Sequence, residues 1–291
     1  MINYNYFSVI RPHQWSKNFL IFLPLVSSHQ FTLPIFYLSF YAFIAFCLIA
    51  SSTYILNDIL DIKNDQDHPK KKYRAFASNQ LPIKNGIFLA LILFLFSITL
   101  SLKINLIFFF IIILYFIMTC LYSVYLKKFA IIDIFLLSFF YTIRIIAGGF
   151  ATNISISFWL ICFAFFIFLS LACVKRISEI RLLNINTNNL FGRAYKFEDL
   201  NFILSMSVAS GFISIVIFAL YINSDTISNL YKTIEFLLFI PLILFFWISR
   251  VIFLAQRNKI ASDPIIFAFK DKISWLSLFL IAVILFASKY Y

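Results

Sequence analysis

Charge is scarce in this chain of 291 residues: Asp, Glu, Lys and Arg make up 12% of it, against 63% hydrophobic residues. Soluble domains carry about 25% and about 45 to 50% respectively, so a water-soluble globular fold is excluded. Cysteine is sparse, and all four, Cys47, Cys120, Cys162 and Cys173, lie in apolar runs without paired spacing. That pattern excludes a disulfide framework or a cysteine-held metal and leaves packing as their role. Only three histidines occur, at positions 13, 29 and 68, too dispersed for a zinc cluster. A cleavable leader is not expected either, because the N-terminus carries Tyr, Asn, Arg and His where a signal peptide has its apolar core.

What the chain has is long hydrophobic runs. Segments of roughly 18 or more residues recur, which mark helices; barrel strands would show period-2 alternation over about ten residues. Nine spans are expected, at 15–28, 34–56, 85–102, 105–125, 131–150, 156–174, 201–222, 233–254 and 273–288. The first is short and interrupted by Pro24. Little chain lies outside these spans, so the fold class is an all-α polytopic membrane protein with 1–291 as one integral membrane domain and no separate soluble domain.

Most of the 24 Lys and Arg fall on one side of this arrangement, the side of the N-terminus. The positive-inside rule then places the N-terminus and the long polar loops in the cytoplasm, with the chain in the plasma (inner) membrane. The net charge of +12 therefore serves orientation in a lipid bilayer, and no nucleic-acid partner is expected. Carboxylates do not follow that rule, yet most of them share the same face.

Four of the twelve carboxylates lie between Asn57 and Ser78, in N-D-I-L-D-I-K-N-D-Q-D-H-P-K-K-K-Y-R-A-F-A-S. Charge at the end of a membrane-length apolar run has to be solvated, paired or metal-bound. Asp58, Asp61 and Asp65, spaced i, i+3 and i+7, share one face of a helix with Asn57 beside them, and Asp67 points the opposite way. Such a set suits Mg²⁺ on a diphosphate, because that ion takes one or two carboxylates and fills its shell with phosphate oxygens and water. Lys70, Lys71, Lys72 and Arg74 follow as phosphate counter-charges. A solvated charged loop is the bland alternative, but like charges on one face repel unless a cation is present.

Other places carry candidates as well. Lys175, Arg176 and Glu179 follow an apolar helix at spacings that let them face one cavity, or form a helix-end salt bridge. Arg144 lies deep in the fifth span, a position that marks either a functional group or a buried structural pair, and Gly148 and Gly149 one turn on permit close helix approach. R-P-H-Q-W-S-K-N offers Arg11, His13, Trp15, Lys17 and Asn18 at the interface, where Trp and Lys are also ordinary anchors. Asn184 to Asn189 reads as a loop able to cover a site, and Asp263 and Asp271 read as helix caps or site members.

The run of Asn57, Asp58, Asp61 and Asp65, with H-P-K-K-K-Y-R through Arg74, resembles the UbiA-type intramembrane prenyltransferase superfamily. That resemblance implies a helical bundle around a cytoplasm-facing polar cavity, Mg²⁺ on a diphosphate at Asp58, Asp61 and Asp65, and a lipid tail in a portal open to the bilayer. Most members carry a second Asp-rich motif where this chain has V-K-R-I-S-E. With R-P-H-Q-W-S-K-N, Y-T-I-R-I-I-A-G-G and D-P-I-I-F-A-F-K-D, this departure is similar to the decaprenyl-phosphate phosphoribosyltransferase branch. The branch implies transfer from 5-phosphoribosyl 1-diphosphate to a polyprenyl phosphate, with Lys17, Asn57, Lys70, Arg74, Tyr141, Arg144, Lys175, Arg176 and Glu179 as substrate-binding residues. Prenyl transfer from an allylic diphosphate to an aromatic acceptor is the enzymatic alternative, and a non-catalytic transporter or lipid-binding scaffold the alternative of another class. The family pattern departs at Ala75, usually Pro, and Asn79, usually Gly, which is expected to change the loop's shape without removing a ligand. A homo-oligomer is compatible with all of these readings.

Overall fold

The computed structural model describes residues 6–67, 71–181, 194–224, 227, 230–260 and 263–290, and among them the regular elements are all helical. In chain order these are α1 (Tyr6–Ile10), a 3-10 helix (Pro12–Phe22), α2 (Leu23–Ser28), α3 (Leu33–Leu60), α4 (Ile62–Gln66), α5 (Ile83–Ile104), α6 (Leu106–Val124) and α7 (Ile132–Thr152). They continue with α8 (Phe158–Ile180), α9 (Leu200–Ile222), α10 (Phe239–Gln256), α11 (Pro264–Lys270) and α12 (Lys272–Tyr290). Short 3-10 turns lie at Lys71–Tyr73, Leu126–Lys128, Phe197–Asp199 and Ile234–Leu238.

Eight helices among the described residues are long and apolar enough to cross a membrane, and they coincide with the second to ninth expected spans. Their starts follow local chemistry: Asn105 accepts from Phe108 N at 2.7 Å to cap α6, and Ser157 accepts from Leu160 N at 3.2 Å to cap α8. Pro34 occupies the first turn of α3, where its missing N–H costs nothing. Large apolar side chains such as Phe88, Phe96 and Leu242 remain more than half exposed, as lipid-facing helices require.

The first expected span is the one that departs from a regular helix. Residues 12–28 form a continuous helical run, but its first eleven residues are 3-10, a form usually confined to three or four. At about 2.0 Å per 3-10 residue and about 1.5 Å per α residue the run reaches about 31 Å, span length, through stretched rather than regular turns. Tertiary contacts impose this geometry, since hydropathy alone does not distinguish the two helical forms.

The chain divides into two compact units, α1 to α7 and α8 to α12, the second taking residues 137–139 as well. In the first, Ser52 and Ser97 hydroxyls donate to the Ala90 and Ala45 carbonyls, each at 2.8 Å, drawing α3 and α5 together through small residues. Val9, Ile55, Phe76, Leu81, Ala90 and Leu93 form a buried cluster that pins the loop after α4. Asn79 in that loop adopts φ 57°, the left-handed region that Gly enters freely and Asn tolerates. Replacing Asn79 by Gly is expected to change thermal stability by less than about 1 kcal/mol, whereas a β-branched Val there costs about 1 to 3 kcal/mol. Melting curves of the two variants check this.

In the second unit, the Ser170 hydroxyl donates to the Ser207 carbonyl at 2.8 Å between α8 and α9. Asp271 accepts two bonds from Arg250, at 2.7 and 2.9 Å, and caps α12 by accepting from Ser274 N at 2.8 Å. The Arg250 bonds hold the Asp271 carboxyl below its ordinary value near 3.8, with the Ser274 bonds acting the same way and partial burial opposing them. A depressed folded-state pKa means stability that is fully present above about pH 4 and is lost as pH falls through the folded value. Asp271→Ala is therefore expected to cost about 1 to 2 kcal/mol at neutral pH, with the gap to the parent protein narrowing in acid. Thermal melts from pH 7 down to pH 3 measure it.

Candidate functional site

Asp58 lies in the last turn of α3, and Asp61 and Asp65 follow across a slight break in which Asp61 flanks both α3 and α4. The turn nevertheless carries through: Asp61 N donates to Asn57 O at 2.9 Å and Asp65 N to Asp61 O at 2.8 Å. The helical turn thus continues through the break, but the three side chains do not converge on one point. Asp58 and Asp65 are buried and converge on one atom, Arg74 Nη1, at 3.0 and 2.7 Å. Asp61 turns aside, accepting from Lys127 Nζ at 2.5 Å and from Asn57 Nδ2 at 3.1 Å.

Of the cations in this cluster, Arg11 was legible in the sequence as one residue of an interfacial stretch and Lys127 only as an orientation charge. Arg11 Nη2 donates to both oxygens of Asp58 at 2.5 Å, from a residue held in the left-handed region at φ 56°, ψ 59°. Lys127, buried in the turn between α6 and α7, reaches Asp61. Arg11 at least belongs to the R-P-H-Q-W-S-K-N stretch; Lys127 carries no local signal at all. Lys70 lies outside the described residues, as do His68 and the Asn184–Asn189 segment.

No group of three or more His, Cys, Asp or Glu is placed to hold a metal among the described residues. Two carboxylates within reach of a common nitrogen, however, fit a hard cation that takes only one or two protein oxygens and completes its shell from phosphate and water. Asp58 and Asp65 are that pair. Asp61 stands beside it through Asn57 and Lys127.

A second polar constellation occupies the interior of the same unit. Arg144, 2% exposed in the middle of α7, donates from Nε to Asn18 Oδ1 at 2.7 Å, from Nη2 to Tyr115 OH at 2.9 Å, and from Nη1 to the Phe140 carbonyl. These three acceptors are neutral, and the guanidinium also lies 5.1 and 5.8 Å from the Tyr115 and Tyr141 ring centres. Lys17 Nζ lies 5.6 Å from the same Tyr141 ring and is buried. Lys17, Tyr141 and Arg144 are therefore neighbours, as a shared role requires. Asn18 also donates to Cys47 Sγ at 3.2 Å, so one buried amide joins the 3-10 helix, α3 and α7.

In the second unit α8 runs six residues beyond the expected end of its span, which puts Lys175, Arg176 and Glu179 on a regular helix. Arg176 is fully buried and pairs with Glu179, and Lys175 Nζ pairs with Asp263 Oδ2 at 3.3 Å. Asp263 at the same time caps α11 by accepting from Ile265 N at 3.2 Å, so it is both a cap and a member of this cluster. Asp271 belongs to the Arg250 clasp instead.

The model of the UbiA prenyltransferase family matches residues 19–269. The chain is 33% identical to the uncharacterized protein y4nM of Sinorhizobium fredii, with 93% of this chain aligned but 53% of that protein, so it spans about half the length of that relative. It is 29% identical to nodulation protein NoeC of Azorhizobium caulinodans, over 91% of this chain and 87% of that one. Over 60% of the chain and 56% of the relative it is 32% identical to the decaprenyl-phosphate phosphoribosyltransferase of Mycolicibacterium smegmatis. In fold it is similar to a UbiA homologue of Archaeoglobus fulgidus solved with GPP and Mg²⁺, at TM-score 0.69 and 14% identity, over 95% of this chain and 98% of that one.

Proposed function

Because this chain belongs to the UbiA prenyltransferase family, we propose that it is an intramembrane transferase that moves the phosphoribosyl group of 5-phosphoribosyl 1-diphosphate to a polyprenyl phosphate of the decaprenyl type and releases diphosphate. The observation that carries this reading is the end of α8. Lys175 and Arg176 stand there in the stretch where most members have a second set of carboxylates. A donor with a diphosphate and a 5-phosphate, meeting an acceptor with a lipid phosphate, calls for cations rather than for a second metal. The partial likeness to the Mycolicibacterium phosphoribosyltransferase supports the same choice.

In this reading Asp58 and Asp65 hold Mg²⁺, with Asp61 close by, and Asn57 keeps Asp61 in place. When bound, the ion neutralises charge on the departing diphosphate. Arg74 and Lys70 bind the diphosphate, Lys17, Lys175 and Arg176 the remaining phosphates, and Glu179 orients the cations or a ribose hydroxyl. Arg144 and Tyr141 set the position of Lys17. An oxygen of the lipid phosphate forms the bond to C1 as the bond from C1 to the diphosphate oxygen breaks, and the electron pair leaves with diphosphate. The acceptor is already ionised at neutral pH, so no side chain has to remove a proton. The site faces the cytoplasm of the inner membrane, where the soluble donor is available, and the isoprenoid lies among the Phe, Ile and Leu side chains of the spans.

The second reading is prenyl transfer from an allylic diphosphate to an aromatic acceptor, favoured by the fold's likeness to a homologue solved with GPP. Purified protein with Mg²⁺ and 5-phosphoribosyl 1-diphosphate separates the two. The phosphoribosyl reading expects diphosphate release that depends on added polyprenyl phosphate. Absence of release with that pair, alongside release from geranyl diphosphate with an aromatic acid, would replace it with the second.

A further inference from the structure

Residues 248–280 of the second unit carry five Lys and Arg but two carboxylates, and both carboxylates are already engaged. Asp263 holds Lys175. Asp271 receives both bonds of Arg250 and also accepts from the Ser274 N–H and hydroxyl, each at 2.8 Å. That leaves Arg257 and Lys259 just past the end of α10, with Lys270 and Lys272 on either side of Asp271. All four are exposed, and none makes an ion pair among the described residues. Beside them the rings of Phe253, Phe269 and Trp275 are about half exposed. We propose that this end of the α10 and α12 seam is a binding site for an anionic phospholipid, whose headgroup phosphate meets the four cations and whose glycerol and upper acyl chains lie against the rings.

The frame of this site is rigid. Trp247 Nε1 donates to the Ser274 hydroxyl at 2.9 Å, and one turn further along α10 Arg250 clasps Asp271, so the start of α12 is fixed against α10 and the cations of the two helices keep their spacing. The rings are placed as well. Trp275 Nε1 donates to the Phe269 carbonyl at 2.9 Å with the two rings edge-on, and the Arg257 guanidinium lies 4.1 Å from the Phe253 ring centre. Trp takes such positions where hydrocarbon meets headgroups, which sets the depth of the cations at the phosphate layer. Orientation in the bilayer accounts for Lys and Arg at this end of the helices, but not for their gathering around one exposed group of rings. Helix stability does not account for Lys272 either. It stands in the first turn of α12 with no acidic residue beside it, where the helix dipole disfavours a cation, and an anion next to it reverses that sign. A zwitterionic headgroup brings its own ammonium to its phosphate, whereas an anionic one leaves the phosphate to the protein. Each Lys or Arg near such a headgroup contributes about fivefold in affinity, and Arg257 is able to pair with two phosphate oxygens at once.

Tryptophan quenching by phospholipids brominated on their acyl chains, with the full chain in phosphatidylcholine vesicles, tests this without turnover. Brominated phosphatidylglycerol is expected to occupy one saturable site about a hundredfold more tightly than brominated phosphatidylcholine, four cations discounted for screening. Trp275→Phe is expected to remove that saturable component of the quenching. Lys270→Gln with Lys272→Gln is expected to lower the preference for phosphatidylglycerol about tenfold, and Lys270→Arg with Lys272→Arg to keep it. Lys63→Gln with Lys84→Gln, which removes two exposed lysines of the first unit, is expected to change it by less than about twofold. An equal loss in the two glutamine pairs means diffuse attraction to the leaflet and overturns the inference. So does saturable quenching that survives Trp275→Phe unchanged, or equal binding of the two phospholipids in the wild type. Polyprenyl phosphate at the same mole fraction, with a single chain and no glycerol for the rings, is expected to displace less than about half of the phosphatidylglycerol. Displacement of nearly all of it would assign the site to the acceptor lipid and overturn the inference as well. The measurement is independent of which group the protein transfers, since none of the four cations belongs to the Asp-rich cluster.

Discussion

Asp58→Asn is expected to lower the rate of diphosphate release by about a hundred- to a thousandfold, the usual loss when a group that organises charge at a reacting centre is removed. Asn keeps the shape of the side chain, so the loss reports charge and ligation rather than volume. Asp58 is the most connected carboxylate of the site: it receives Arg11 on both oxygens and shares Arg74 with Asp65. Neutralising it removes one of the two oxygens suited to Mg²⁺ and leaves two guanidinium groups without their carboxylate. Asp67, two residues beyond Asp65 and exposed, supplies the control: Asp67→Asn is expected to stay within about twofold of wild type. Initial rates of diphosphate release for both variants, at matched folding by melting temperature, decide the point. A folded Asp58→Asn protein with near-normal rate would remove the carboxylate from the mechanism.

The second large effect is structural. A Cβ at Gly148 would sit 2.1 Å from the carbonyl oxygen of Ile21, so the contact between α7 and the 3-10 helix is backbone against backbone. Neither side can give by turning a side chain. Gly148→Ala must therefore push the two segments apart by about 1 Å, and the Arg144 to Asn18 bond of 2.7 Å, one turn away, stretches with them. Overpacking costs about 1 to 3 kcal/mol and each strained buried hydrogen bond about 1 kcal/mol more, so a total of about 3 kcal/mol is expected. Gly211→Ala is the comparison, because its added Cβ meets the Ile248 methyl at 2.7 Å and the Ser170 hydroxyl at 3.0 Å, side-chain atoms that can shift. Unfolding measurements should show Gly148→Ala melting well below Gly211→Ala. Equal stability of the two would mean that the close approach at Ile21 is not what holds the 3-10 helix.

Hydropathy carried the fold class because lipid imposes one rule on every span, internal satisfaction of the backbone, which only long apolar helices meet here. It placed eight regular helices, and Gly148 was legible as a point of close approach. The 3-10 character of Pro12–Phe22 was not legible, since it follows from contacts with Ser51, Cys47, Arg144 and Gly148 that lie 29 or more residues away. The same holds for the site. Asp58, Asp61 and Asp65 announced themselves by local spacing, whereas their partners Arg11 and Lys127 stand 47 and 66 residues distant and Asp263 stands 88 from Lys175. Arg144, ambiguous between function and structure as an isolated intramembrane charge, proves to be the centre of a buried network that includes Asn18 and Tyr115.

The central claim is that a phosphoribosyl group, not a prenyl group, moves to a lipid phosphate. Donor labelled in its ribose, incubated with purified protein, Mg²⁺ and a polyprenyl phosphate, tests it most directly. The account predicts label in the organic phase on a polyprenyl phosphoribose, only when the lipid is present, and none with Asp58→Asn. Label that stays entirely in the aqueous phase, while an isoprenoid from geranyl diphosphate appears on an aromatic acid, would contradict it.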